Sequence, residues 1–321
     1  MSVDVVIAGY GVAGELHAHL LESRAGVRIT GIADPLPQRR ALAVERHPAA
    51  VTAESLDHLD VTADAVVIAT PPADHERDVH TALTRFRAHV LCEKPAVLDP
   101  DRGRGLGEIA AHSGLVLRPA HNYLYAPAIR RVRQLIADGA IGPVTRVAVD
   151  IARSRPSPGH TGWRTGASAG GGILNDHGPH AIYLVHHLLG QPADTVSCTT
   201  RLDERGVDHT AAVQLTFPGP VIADISLTWK ATERRTRYQI RGTDGTLMLH
   251  RGRLTHTARS RTRSDPTDNL AAAGHTHAAW TRALHADFIA GIAEGEATHH
   301  HWKEAIHVAE LLRAARISAS P

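Results

Sequence analysis

Three groups of residues in this 321-residue chain have the types and spacing to do chemistry. The first is the turn Gly9-Tyr10-Gly11-Val12-Ala13-Gly14, which follows an apolar, β-branched run and precedes a run with helical spacing. In that context G-x-G-x-x-G cradles a pyrophosphate. The first glycine permits the tight turn, the second lets the backbone approach the phosphates, the third lets helix and strand pack closely, and the helix N-terminus faces the negative charge. Gly9, Gly11, Val12, Ala13 and Gly14 are therefore candidate cofactor contacts. Asp34, at the end of the next apolar run, stands where a carboxylate hydrogen-bonds the adenosine ribose hydroxyls. A carboxylate there repels a 2′-phosphate and favours NAD. Arg39 and Arg40, a few residues on, have the chemistry to grip that phosphate, which keeps NADP as the alternative.

The second group is Asp176 and His180. Four residues apart, they share one side of a helix. The carboxylate can orient the imidazole or bond a reacting hydroxyl itself. The third is Lys94. The chain has 35 basic residues and only three are lysine, namely Lys94, Lys230 and Lys303. Where arginine serves for almost every positive charge, a lysine asks for a reason.

Several elements must position these groups. Val3–Ala8, Val27–Ala33, residues 65–69, His89–Cys92 and residues 115–119 read as strands. They alternate with helical runs at 15–24, 36–46, 74–86 and 101–113. The apolar run at 65–69 is expected of a parallel strand buried on both faces. That alternation predicts an α/β, doubly wound parallel sheet. Pro179 is acceptable only in the first turn of a helix, so the helix carrying Asp176 and His180 is expected to run from near 175 to 187. Later strands are read at 144–151, 195–201, 210–217, 221–229, 237–242 and 246–250, an antiparallel meander. Helices near 280–293 and 302–315 close the chain. The expected domains are a Rossmann unit at 1–120 and a second α+β unit at 121–321 with an open antiparallel sheet, the closing helices packing back on the first.

Composition removes other classes. Hydrophobic residues make up 43%, charged residues 21%, and the formal net charge is +2. Neither nucleic acid nor membrane is an expected partner. The stretch 229–263 holds ten basic and two acidic residues but lacks the aromatic interleaving of a single-strand binder. Two cysteines without zinc spacing read as free thiols, and the N-terminus reads as a strand, so a cytoplasmic protein is expected. The histidine clusters 186–187, 275/277 and 299–301 lack a carboxylate or cysteine to complete a ligand set, and no metal is expected.

Four motifs carry a resemblance. They are the N-terminal glycines, Ala69-Thr70-Pro71-Pro72 followed by His75, Glu93-Lys94-Pro95, and Gly170-Gly171-Gly172 leading through Asp176 to His180. With Asn122-Tyr123 and Trp163-Arg164, they resemble the glucose–fructose oxidoreductase/inositol dehydrogenase/rhizopine catabolism family (Gfo/Idh/MocA). The resemblance implies pyridine-nucleotide redox chemistry on sugars or cyclitols. His180 would move the hydroxyl proton. Lys94 would sit beside the nicotinamide and touch the substrate oxygen, aimed by a Lys94–Pro95 bond that is often cis in the family. Thr70, Pro71, Pro72, His75 and Glu93 join the cofactor contacts. Asn122, Tyr123, Trp163, Arg164 and Tyr183 join Lys94, Asp176 and His180 around the substrate. Tyr183 replaces an aspartate that often holds substrate in the family, so amino sugars and non-carbohydrate carbonyls stay open as substrates. A non-catalytic NAD(P)-binding sensor is the competing reading, and the Lys94/Asp176/His180 set argues against it. The exposed face of the second sheet is the expected surface of a homodimer or homotetramer.

Overall fold

The computed structural model describes residues 2–155, 163–166, 171–258, 261–271, 277–295 and 299–319. The chain divides into two compact units, Met1–His121 with Ala278–Ile306, and Asn122–His277 with His307–Pro321.

The first unit is built on six parallel strands: β1 (Val3–Ala8), β2 (Val27–Ala33), β3 (Val51–Ala53), β4 (Ala65–Ile68), β5 (His89–Cys92) and β6 (Leu117–Pro119), in the order β3-β2-β1-β4-β5-β6. The order reverses between β1 and β4, where doubly wound sheets open a ligand crevice beyond the carboxyl ends of their strands. Every residue of β4 is buried, as expected of a strand covered on both faces. Helices α1 (Val12–Glu22), α2 (Pro37–Arg46), α3 (His75–Thr81) and α4 (Pro100–His112) make the connections. The run expected as one helix over 74–86 is instead a 3₁₀ turn (Pro72–Asp74), α3, and a π-turn (Ala82–Phe86) ended by Arg87 at φ +52°. The closing helix α7 (Ala278–Glu294) packs on α1 within this unit. Trp302, at the start of α8 (His299–Ala319), donates from Nε1 to the Gly103 carbonyl of α4 at 2.8 Å.

The second unit opens with α5 (Pro127–Ala137) and, among the described residues, contains an eight-stranded sheet. Its strands are β7 (Val144–Ser154), β8 (Thr195–Leu202), β9 (Asp208–Thr216), β10 (Ile222–Thr228), β11 (Lys230–Gly242), β12 (Gly245–His250), β13 (Arg253–Ala258) and β14 (Arg261–Pro266). Their order is β14-β13-β12-β11-β7-β10-β9-β8. The expected all-antiparallel sheet needs one correction, because β7 and β10 pair in parallel. β7 comes first in sequence yet lies between β10 and β11, so the meander splits around it. Helix α6 (Ile173–Leu189) packs on β7, β9 and β10. It begins before the expected residue 175, and Pro179 lies inside it. That position forfeits the bond an amide would donate to the carbonyl four residues earlier, Asn175. The first turn is held from outside the helix instead: Asp208 of β9 accepts from the Leu174 amide at 2.7 Å. Among the described residues no helix is long and apolar enough to cross a membrane.

Candidate active site

In the first unit, the glycine turn joins β1 to α1. Gly9 has φ +86°, and a Cβ there would lie 2.7 Å from the backbone of Ala69 and Thr70 after β4. A Cβ on Gly14 would meet the Gly9 carbonyl oxygen at 1.8 Å, so helix and turn touch. Gly11 differs. It caps α1 without a side-chain hydrogen bond, and a Cβ on it would meet only the Arg39 guanidinium, at 3.5 Å. The space beside Gly11 and the amides opening α1 has the form an anionic pyrophosphate requires. Val12, the first helical residue, is 91% exposed. The residues present fit a dinucleotide.

Asp34 is 1% exposed. Its oxygens accept from the amides of Tyr10 (2.8 Å) and Leu36 (2.9 Å), and Arg39 Nη1 approaches at 3.4 Å. The carboxylate thus fixes the glycine turn. Arg40 Nη1 is turned onto the carbonyls of Asp34 and Pro35.

The segment Ala69-Thr70-Pro71-Pro72 follows β4, at the carboxyl edge of the sheet. Thr70 donates to Asp78 Oδ2 at 2.7 Å. His75, expected among the cofactor contacts, is 1% exposed, and its two ring nitrogens lie 2.8 Å from the carbonyls of Pro95 and Thr70. It stitches two loops together, so any influence on a cofactor passes through them. The Lys94–Pro95 bond is cis. Glu93 Oε2 accepts from the Lys94 amide (3.1 Å), and Oε1 lies 3.1 Å from His17 Nε2. Burial pushes the Glu93 carboxyl upward. The His17 hydrogen bond and charge, with the charge and amide of Lys94, outweigh it and leave the group below its ordinary value.

In the second unit, α6 presents Asp176, His180 and Tyr183. His180 Nδ1 lies 2.8 Å from the Tyr183 hydroxyl, and Tyr183 is fully buried. Tyr183, expected beside the substrate, thus has its hydroxyl on the imidazole. The Asp176 carboxylate lies 3.1 Å from Arg164 Nε and 3.5 Å from His177 Nε2. Arg164 stacks on Trp163, 4.6 Å from the ring centre, and its carbonyl accepts from the Gly172 amide at 3.0 Å. The Trp163-Arg164 pair is thereby tied to the opening of α6. Residues 156–162 and 167–170, most of the loop expected to line the substrate cleft, lie outside the described residues.

Asn122 and Tyr123 sit in a 3₁₀ turn before α5. The Tyr123 ring centre is 4.6 Å from that of His180 and 5.1 Å from that of His277. Burial raises the Tyr123 phenol. Burial, then the charges of Arg234 and Arg153, push His277 down to about 4. Arg153, read as loop, ends buried on β7, donating to the carbonyls of Ala152 and Arg235 and to Thr236 Oγ1. Sequence reasoning also missed Asp208, His17, His277 and His285. For His17 a signal existed, since it shares the inner face of α1 with Leu20 and Leu21. For Asp208 there was none, because its partner is 34 residues away. Among the described residues no group of three or more His, Cys, Asp or Glu is arranged to hold a metal.

The first unit defines a dinucleotide-binding α/β domain, and the second places an imidazole with a fixed ring on a helix backed by a large sheet. Two family models match the chain: the oxidoreductase family NAD-binding Rossmann fold over residues 3–121, and the GFO/IDH/MocA C-terminal domain over 129–248. The chain belongs to the Gfo/Idh/MocA oxidoreductase family. It is 30% identical to inositol 2-dehydrogenase of Rhizobium meliloti (strain 1021), over 62% of this chain and 58% of that one. It is 31% identical to 1,5-anhydro-D-fructose reductase of Ensifer adhaerens, over 59% and 57%. The chain thus spans less than two thirds of these relatives' length. Among solved structures, GenD2 from gentamicin A biosynthesis in complex with NAD superposes with a TM-score of 0.86 at 28% identity, covering 99% of this chain and 94% of that one.

Proposed function

We propose that the protein is an NAD(P)-dependent oxidoreductase acting on a secondary alcohol or ketone of a sugar, amino sugar or cyclitol. The observation that carries this reading is His180 with its Nδ1 on the buried hydroxyl of Tyr183. A sensor that only binds nucleotide has no use for an imidazole held in this way. The names of the two relatives, a cyclitol dehydrogenase and a sugar reductase, support the substrate class.

The nicotinamide, when bound, supplies or accepts the hydride. This chain's own residues do the rest. The glycine turn and the opening of α1 hold the pyrophosphate. With Nδ1 of His180 engaged, proton exchange with the substrate hydroxyl falls to Nε2. Lys94, a compact ammonium, donates to the oxygen as negative charge develops on it. Asp176, set by Arg164, bonds a neighbouring substrate hydroxyl. NAD is the proposed cofactor, on the strength of Asp34. The half-exposed Arg39 beside it supports NADP as the second reading, and comparing KM for the two decides. The proposed assembly is a homodimer or homotetramer in the cytoplasm, formed through the sheet face bearing the exposed Ser197, Thr199, Ala212, Gln214 and Ser226. Light scattering of the purified protein tests it.

The deciding experiment is NAD(P)H formation across free sugars, inositols, amino sugars and nucleotide sugars. Lys94→Ala and His180→Ala should lose most turnover and still bind NAD. Tight NAD binding with no turnover on any substrate would refute the enzyme reading and assign sensing instead.

A further inference from the structure

The first unit buries a chain of polar groups that the proposed reaction does not use. His17 on the inner face of α1 and His285 on α7 are 1% and 2% exposed. Their rings are 5.0 Å apart between centres, and His17 Nδ1 lies 2.7 Å from His285 Nε2. His17 Nε2 lies 3.1 Å from Glu93 Oε1, and the other oxygen of Glu93 accepts from the Lys94 amide. The chain therefore runs from α7 through α1 to the Glu93-Lys94-Pro95 loop. We propose that His285, His17 and Glu93 form a positioning relay that sets Lys94 by fixing its loop to the helix that carries the glycine turn.

The hydrogen bonds assign the protons. An ionised Glu93 only accepts, so His17 Nε2 bears a proton. A single proton is then shared across the 2.7 Å contact between His17 Nδ1 and His285 Nε2, so each ring fixes the other. On the far side of its ring, His285 Nδ1 is buried with no hydrogen-bond partner, so the contact with His17 is the ring's one hydrogen bond. Burial, with the charges of His17 and Arg24, depresses His285 well below its ordinary value, which agrees with a neutral ring.

Packing does not require this arrangement. α1 and α7 pack together and carry the buried apolar residues Leu20, Leu21, Leu284 and Phe288, and two further apolar side chains would fill the place of the imidazoles. Burying polar groups carries a desolvation cost that only their mutual bonds offset. What the imidazoles add is a fixed N–H aimed at Glu93. Glu93 in turn grips the Lys94 amide with one oxygen and places negative charge beside the ammonium.

The relay rests on the oxidoreductase reading only for what Lys94 does, so its test needs no substrate. The chain's three lysines allow clean labelling: brief acetic anhydride treatment, followed by peptide mapping, gives the acylation rate of Lys94 against Lys230 and Lys303 as internal standards. In His17→Leu, Glu93 loses its donor and Lys94 loses its fixed neighbour. Its relative rate should rise about fivefold or more, since a hydrogen bond to a charged group is lost. His17→Gln keeps an N–H at the position of Nε2 and should return the rate to within about twofold of the unaltered protein. His285→Phe, which leaves the His17 ring unfixed, should fall between, and serves in place of His17→Leu if that variant does not fold. NAD⁺ affinity, measured by titration, should stay unchanged in all three. Equal Lys94 rates in the leucine and glutamine variants, or no change in His285→Phe, would overturn the relay. A protein that turns over no sugar would overturn the enzyme reading and leave this test standing.

Discussion

Gly11→Ala separates the requirements of the fold from those of the cofactor. Gly11 lies at φ −83° and ψ −165°, extended backbone that alanine adopts freely. The added methyl would meet the end of the flexible Arg39 side chain at 3.5 Å, an ordinary contact. Stability without cofactor should therefore change by no more than about 0.5 kcal/mol, with a small gain possible from a less flexible unfolded chain. The same methyl occupies the approach to the amides opening α1. Displacing a phosphate there forfeits one or two hydrogen bonds to a charged group, each about 1.5–3 kcal/mol. A loss near 3 kcal/mol raises the NAD Kd about 100-fold. Gly14→Ala supplies the contrast, because its Cβ falls 1.8 Å from the Gly9 carbonyl oxygen and α1 must move off the turn. That variant should lose several kcal/mol, in the manner of an overpacked core. Titration calorimetry with NAD⁺ and thermal melting with and without it read both quantities. Gly11→Ala that melts normally and binds NAD⁺ like the parent would refute the placement of the pyrophosphate. Gly11→Ala as unstable as Gly14→Ala would refute the steric reasoning.

Tyr183→Phe leaves a buried imidazole nitrogen without its hydroxyl, and should lower kcat about tenfold while NAD⁺ affinity holds, as steady-state kinetics and titration would show. Asp208→Ala removes the remote cap of α6 and should cost about 1–2 kcal/mol in denaturant unfolding, whereas Asp208→Asn keeps an acceptor and should lose less. Acid should destabilise the protein through His285 and His277, both held below the ordinary histidine value, His277 at about 4. Each is neutral in the fold and takes a proton when unfolded. Their contribution is therefore complete above the unfolded value and fades as pH falls from about 6.5 toward the folded value, by at most about 1.4 kcal/mol per pH unit per group. Urea unfolding at several pH values should show a shallower acid slope in His285→Phe than in the parent.

The parallel sheet was legible because its strands are short apolar runs closed by polar or glycine residues. β1, β2 and β5 are found at the residues where the sequence sets them. β3 was not, because Val51–Ala53 is three residues long and largely accessible. β13 and β14 escaped for a related reason: with four arginines between residues 253 and 263, they read as a solvated charge run. Pairing direction lay beyond reach as well. Alternation identifies the buried face of β7 and β10 but is the same for parallel and antiparallel partners, so the one parallel pair in the second sheet carries no local mark. Pro179 misled in the opposite direction. Its ring forbids one hydrogen bond, and that cost was read as the start of a helix, whereas the contacts of α6 with three strands outweigh it.

The same limit explains what was read of His180, the proposed proton-transfer group. Spacing puts both Asp176 and Tyr183 within reach of His180, one four residues before it and one three after. Reach does not decide which of them the ring nitrogen meets. Here charge does much of the choosing. Arg164 draws the Asp176 carboxylate to 3.1 Å, while the uncharged Tyr183 hydroxyl occupies Nδ1 at 2.8 Å. The difference matters for chemistry. A carboxylate on Nδ1 stabilises imidazolium by charge, whereas a phenol orients the ring with far less bias toward either protonation state. In the reaction proposed above, an imidazole held in that way takes the proton from the alcohol in one direction and returns it to the alkoxide in the other. The Asp176 carboxylate is paired instead with Arg164, and the proposed reaction has it bond a substrate hydroxyl from there.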